Sequence, residues 1–264
     1  MLTIKKLVRK ILPLKVYKKM AYFKMLLQMR KFKKKYPNSR LFYSLFIHET
    51  NKRYSQHNQD YIVSQNFFKD TINGVFCDVG SNHPLNINNT RYFEELGWSG
   101  YAFEPLPHMQ LFWKKHRKAK FFPYAASDNE GDVTFTIVKN ESGWEDMLSY
   151  VKETSNVKYD YKTEDITVKT RALKNVFREE SITEIDYMSI DVEGHELQVI
   201  KGIDFTKVKV KVLTIENNYG GTGDGSHYGD DEIRNIMFEN NYVLWGRIVG
   251  LDDIYVKGDF YQEI

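Results

Sequence analysis

Apolar positions between residues 55 and 256 alternate between helical spacing, with a period of about 3.6, and short unbroken runs suited to buried strands. The runs at 75–79, 100–104, 121–125, 185–190 and 210–215 predict core strands, bounded by turn residues such as Asn73-Gly74 and Gly97. Between them, helical spacing predicts helices at 55–68, 88–96, 107–116, 173–180, 194–201 and 230–240. Two closing strands are predicted at 242–248 and 253–256. The alternation predicts an α/β fold of Rossmann-like, doubly wound type: a seven-stranded, mostly parallel sheet with helices on both faces. The alternating run at 133–138 and the stretch at 167–170 predict further strands. They enclose a polar, aromatic-dotted excursion at 139–164. Cys77, the single cysteine, lies among Val75, Phe76 and Val79 and is expected to be a buried strand residue that forms no disulfide.

Charge changes this picture at the N-terminus. Residues 1–48 hold 14 Lys and Arg and no acidic residue, so the remainder carries 24 basic against 35 acidic residues, a net of −11. Ile4, Leu7, Val8, Ile11 and Leu12 fall at helical spacing with lysines and an arginine between them, and Pro13 interrupts the pattern. A second lysine-rich helical stretch runs from Tyr17 to Phe32. The chain is therefore divided into a basic helical arm, 1–48, and a catalytic-type domain, 49–264. An anionic membrane surface, a nucleic-acid backbone and a packing surface on the same or a neighbouring subunit all suit such an arm. The acidic remainder argues against nucleic acid as the partner. No run reaches the roughly 18 apolar residues of a membrane span, and no secretory signal is evident, so a cytoplasmic protein is expected, peripheral at the inner membrane face if the arm binds lipid.

Three acidic strand ends carry the candidate chemistry. Asp78-Val79-Gly80-Ser81-Asn82 passes from a strand into a turn, where a glycine admits a close ligand. Glu104, followed by Pro105, ends the next strand, where a carboxylate can accept both hydrogen bonds of a ribose diol. Asp191-Val192-Glu193-Gly194-His195-Glu196 ends a later one. Parallel strands bring all three to one edge of the sheet. A nicotinamide dinucleotide would require G-x-G-x-x-G at the first turn; Gly80-Ser81-Asn82-His83-Pro84 has one glycine and a proline, which disfavours a pyrophosphate. The pattern predicts S-adenosylmethionine instead.

The segments 76–82, 101–105, 121–135 and above all 190–202, with its Asp-Val-Glu-Gly-x-Glu signature, resemble the FkbM-type methyltransferases, from about Ser55 to about Val256. The resemblance implies a class I methyltransferase domain acting with S-adenosylmethionine on a hydroxyl of a sugar or other small molecule, commonly in surface polysaccharide pathways. The acceptor would be a sugar or glycan, free or linked to a nucleotide or lipid. It further implies that Asp78, Gly80, Ser81 and Asn82 surround the methionine moiety, that Glu104 and Pro105 meet the ribose, and that Ala125 and Ala126 lie near the adenine. Asp191, Glu193 and His195 stand at the reacting end, where His195 is one candidate general base. His83-Pro84 departs from the small residues usual in the family's loop.

Asp191 followed 25 residues later by Glu216-Asn217 resembles the metal set of catechol-type O-methyltransferases, which implies Mg²⁺ or Mn²⁺ on Asp191, Glu216 and Asn217. The glycine-dense stretch 218–228 is a candidate lid, and Trp98, Trp144 and Tyr219 are candidate stacking surfaces for a sugar ring. Rival classes are an N-methyltransferase acting on a small molecule or nucleic acid, and a non-catalytic membrane-associated scaffold. The first lacks its proline-containing tetrad after Asp191, and the second leaves the acidic strand ends without purpose. The arm also permits an oligomer.

Overall fold

The computed structural model describes residues 27, 29–42, 54–139, 145–154, 161–217, 230–248 and 252–263. In chain order these form β1 (Arg40–Phe42), α1 (Gln59–Phe67), β2 (Val75–Val79), α2 (Arg91–Glu95), β3 (Ser99–Phe103), α3 (Met109–His116), β4 (Lys120–Phe122), β5 (Ala125–Ser127) and β6 (Gly131–Val138). A 3₁₀ turn, Glu145–Leu148, precedes β7 (Tyr150–Val151) and β8 (Thr163–Ala172). The rest are α4 (Leu173–Glu179), β9 (Glu184–Ile190), α5 (Glu196–Lys201), β10 (Lys209–Glu216), α6 (Asp230–Glu239), β11 (Tyr242–Ile248), β12 (Asp252–Lys257) and α7 (Gly258–Glu263).

The fold is mixed α/β, but its sheets differ from the seven strands expected. The main sheet has eight strands in the order β1-β11-β12-β10-β9-β2-β3-β4, and a second sheet has four in the order β5-β8-β6-β7. Within the main sheet only β12 runs against its neighbours; every other pairing is parallel. The additional main-sheet strand is β1, from within the predicted arm. The expected strand at 121–125 splits, with its end turning away to pair with β8. Pro123 at the split has no amide hydrogen for a ladder.

One cross-strand row runs through the sheet: Phe103, Val79, Ile190, Ile215, Asp253, Arg247 and Leu41 are successive register partners. Gly80, Glu104, Asp191 and Glu216 each stand one residue beyond this row. The strands therefore end level, and short apolar runs predicted separately deliver their polar ends to one edge. β2 has β3 on one side and β9 on the other, so the chain winds outward in both directions from this point. A crevice opens at such a reversal.

Side chains of β2 alternate between the faces: Cys77 and Val79 join one core cluster, and Phe76 joins the other. Cys77 is fully buried, as its neighbours predict. Trp98 packs edge-on to Phe68 in the second cluster and donates to the Thr71 carbonyl (3.1 Å), so it is a core residue and not a sugar platform. Trp144, Tyr219 and the stretch 218–228 lie outside the described residues.

Of the predicted arm, residues 1–26, 28 and 43–48 lie outside the described residues; 29–35 are helical. Phe32 is buried in the first cluster, Tyr36 packs against it, and Lys31, Lys33, Lys34 and Lys35 are exposed. One aromatic per turn thus anchors this basic helix. No helix among the described residues is long and apolar enough to cross a membrane.

Candidate active site

A cavity opens at the crevice, lined by Gly80, Asn82, Glu104, Pro105, Ala125, Ala126, Asp191, Glu193 and His195 among others. Asp146, Met147, Ser149 and Val151, from the excursion after β6, form another wall. The excursion, read from sequence only as surface, thus contributes to the site.

Backbone contacts shape the floor. Gly80 has φ +79°, and a Cβ there would lie 1.8 Å from the Asp191 carbonyl oxygen. The β2 and β9 ends can therefore touch only if this residue is glycine. Gly80 and Ser81 donate their amides to the Phe103 carbonyl, and Asp191 donates to Val79, tying all three strand ends together. Asn82 and Glu193, both lining the cavity, hold left-handed backbone (φ 38° and 54°). Such strain persists only where surrounding structure enforces it, and it clusters at functional sites.

Glu104 is buried, and each carboxylate oxygen accepts one backbone amide, Asn82 N and Leu106 N, both at 2.8 Å. A carboxylate so held keeps lone pairs for a ligand diol. Burial nevertheless outweighs these two bonds and raises its pKa to about 7. Of the predicted loop residues, Gly80 and Asn82 line the cavity, whereas Asp78 and Ser81 lie behind it. The Asp78 carboxylate accepts from Thr90 Oγ1 (2.7 Å) and Asn88 Nδ2 (3.1 Å). Arg117 extends this network, donating to Thr90 Oγ1, Asn88 Oδ1 and the Pro84 carbonyl. The unusual His83-Pro84 step is thereby braced from within. Asp78 organises the loop; it does not face the cavity.

His195 is buried between two hydroxyls: its Nδ1 lies 2.6 Å from Thr154 Oγ1 and its Nε2 3.1 Å from Ser127 Oγ. Burial lowers its pKa to about 4. Both nitrogens are engaged by hydroxyls, so His195 forms a wall of the cavity whose neutral ring must break one of these bonds to accept a proton.

The reacting edge is acidic. Ligand atoms of Asp191, Glu193 and Glu216 lie within 4.8 Å of one another. Burial and then the Glu196 charge raise Asp191 to about 7. Burial, then Asp191 and Glu193, push Glu216 well above the usual carboxylate range. Glu196 accepts the Val192 and Gly194 amides, fastening the signature loop. Asp252 joins from β12, raised to about 7 by burial and Asp191, and accepts from Gln59 Nε2 at 2.8 Å.

Asn217, predicted beside these ligands, donates its Nδ2 to Asp253 (2.6 Å), which leaves its Oδ1 buried without a hydrogen-bond partner among the described residues, and Glu193 joins Asp191 and Glu216 in the cluster. Three carboxylates form a hard oxygen donor set that suits Mg²⁺ or Mn²⁺. Sequence reasoning missed Gln59, Asp252 and Asp146. The Gln59-Asp60 pair lay in the lead-in noted at 55–60, but nothing local linked it to strand β12.

A family profile described as the methyltransferase FkbM domain matches residues 78–244, more than half of the chain and every strand end described above. No curated protein matches the chain significantly.

Proposed function

Since the chain belongs to the FkbM methyltransferase family, we propose that it moves a methyl group from S-adenosylmethionine to a hydroxyl of a sugar or glycan. The observation that carries this reading is the acidic edge: Asp191, Glu193 and Glu216 adjoin a cavity whose other side holds a buried, twice-bonded Glu104.

The cavity fits the cofactor's parts. Glu104 suits the ribose diol, Ala125 and Ala126 leave room for a flat base, and Gly80 and Asn82 offer backbone to the methionine moiety. When bound, S-adenosylmethionine supplies a methyl carbon made electrophilic by its sulfonium. The chain's own task is to align the acceptor oxygen, exclude water and accept its proton. Asp191, with a pKa raised to about 7, is matched to proton removal near neutrality. With a divalent cation held on Asp191, Glu193 and Glu216 instead, Asp191 would be a ligand rather than the base, and the cation would acidify a bound hydroxyl. Gln59 and Asp252 are suited to fix neighbouring acceptor hydroxyls. With a sugar acceptor, the same proposal extends to surface polysaccharide synthesis on the cytoplasmic side, the setting that the family resemblance implies.

The basic arm supports an anionic membrane surface as a further partner, with a lipid-linked acceptor. Mass spectrometry of surface glycans with and without the gene tests the acceptor; an unchanged O-methyl pattern would overturn the sugar reading. Methyl transfer assayed with a chelator tests the metal, and undiminished turnover would remove it. Sedimentation with anionic vesicles, before and after deleting residues 1–26, tests the membrane; equal binding would refute the arm's part in it.

A further inference from the structure

Beside the acidic edge stands a buried ionic cluster that the chemistry above does not use. Asp253 is fully buried in β12 and receives two arginines. Arg247 of β11 reaches its Oδ1 at 2.5 Å, and Arg234 of α6 reaches its Oδ2 through Nε (3.0 Å) and Nη2 (2.9 Å). The same carboxylate accepts Asn217 Nδ2 at 2.6 Å, and Arg247 Nη2 donates to the Asn217 carbonyl at 2.6 Å. Asn217 follows Glu216 directly. Asp253 thus holds the chain on both sides of 218–229: Asn217 before it and Arg234 after it.

Two buried guanidiniums on one carboxylate persist only where their faces are covered and their hydrogens satisfied. The cover comes from outside the domain predicted by charge. The Phe32 ring lies 5.5 Å from the Arg247 guanidinium, and the Tyr36 ring 5.4 Å from that of Arg234. Lys35 pairs with Asp231 on the first turn of α6 at 2.8 Å. Ser39 Oγ donates to the Leu244 carbonyl at 2.5 Å, and Arg40 stacks on Trp245 at 4.6 Å. The segment then enters the sheet as β1, with Leu41 beside Arg247 in the cross-strand row that passes through Ile215, the residue before Glu216.

We propose that Phe32 and Tyr36 are positioning residues for the acceptor half of the site: they seat Arg247 and Arg234 on Asp253, which fixes Asn217 and so Glu216. The proposal rests on the reading that Glu216 belongs to the acceptor side. The cofactor half, built on β2 and β3, has a buried arginine of its own, Arg117, which Phe76 and Trp113 cover rather than the basic helix. The arm's last helical turn is then part of the catalytic architecture, whatever the preceding residues bind.

The test is hydrogen exchange by mass spectrometry on the full chain and on Phe32→Ala and Phe32→Leu, with S-adenosylhomocysteine affinity measured in parallel. The alanine variant should exchange at least about tenfold faster in 209–217 and 230–239, with 75–82 and 99–106 unchanged and affinity within about twofold. The leucine variant, which keeps an apolar cover, should restore protection. Unchanged exchange at 209–217 overturns the proposal. So does acceleration spread evenly over β2, β3 and β10, which would mark Phe32 as a general core residue. If Phe32→Ala does not fold, Tyr36→Ala set against Tyr36→Leu carries the same comparison through Arg234. Failure of the unaltered protein to bind S-adenosylhomocysteine would sink the methyltransferase reading instead, while leaving the exchange pattern to decide this one.

Discussion

Glu104→Gln isolates the group on which cofactor recognition is argued to turn. The native carboxylate accepts the Asn82 and Leu106 amides with one oxygen each, at 2.8 Å. Glutamine has one oxygen, so its NH₂ must face an amide N–H that then lacks an acceptor. Leaving a buried donor unsatisfied costs about 1–3 kcal/mol of stability, in the free and bound protein alike, and losing one charge-assisted bond to the ribose costs about 1.5–3 kcal/mol of binding. The binding loss raises the Kd at pH 8 by about 10-fold to 150-fold.

The pH dependence gives an independent handle on the same residue. Glu104 has a pKa of about 7 in the free protein, and the diol binds its ionised form. Binding should therefore release a proton near neutrality and weaken by about tenfold from pH 8 to pH 6. Calorimetric titration with S-adenosylhomocysteine, repeated in buffers of different ionisation heat, measures affinity and proton release together. In Glu104→Gln this part of the pH dependence should vanish. Native affinity that does not vary with pH, with a variant within about threefold of it, would refute the reasoning.

Three further outcomes are expected. Gly80→Ala should lose S-adenosylhomocysteine binding and melt well below the native protein in a thermal scan, since a Cβ would sit 1.8 Å from the Asp191 carbonyl at a φ of +79°. The ligand-free protein should grow more stable to urea as pH falls from 8 to 6: Glu104, Asp191 and Asp252 all titrate at about 7 when folded but near 4 when unfolded. The folded state thus holds protons that the unfolded state has released, and a flat profile would count against these burial-raised carboxyls. His195→Ala should cost roughly 1–3 kcal/mol of stability by leaving the Ser127 and Thr154 hydroxyls without their partner. An inflection near pH 6.5 in methyl transfer by the native enzyme, lost in this variant, would restore His195 as a base.

Much of the site could be read from residue order alone because its foundations are local. An apolar run of five residues makes a buried strand, and the next residue must stand at its end; Gly80, Glu104, Asp191 and Glu216 were legible for that reason. The glycine at position 80 and the proline after His83 likewise disfavoured a pyrophosphate without reference to tertiary contacts. Side-chain direction is not local. Asp253, 36 residues after Asn217, takes the Asn217 NH₂ and leaves its Oδ1 without a partner among the described residues, while left-handed backbone at Glu193 carries its carboxylate toward Asp191 and Glu216.

Only the folded chain decided which charges would be covered. Asp78 is spent on Thr90 and Asn88, and His195 is enclosed by hydroxyls from β5 and from the turn after β7. Gln59 reaches Asp252 across 193 positions. By charge the basic helix at 29–35 suits a membrane, a nucleic acid or a packing surface alike; the fold draws its Phe32 into the core where Arg247 needs a cover. Strand and helix periods follow from the intrinsic geometry of the backbone, so sequence reports them directly. Pairing among buried polar groups depends on which distant segments remove water from them, and that is settled only when the sheet closes over its row.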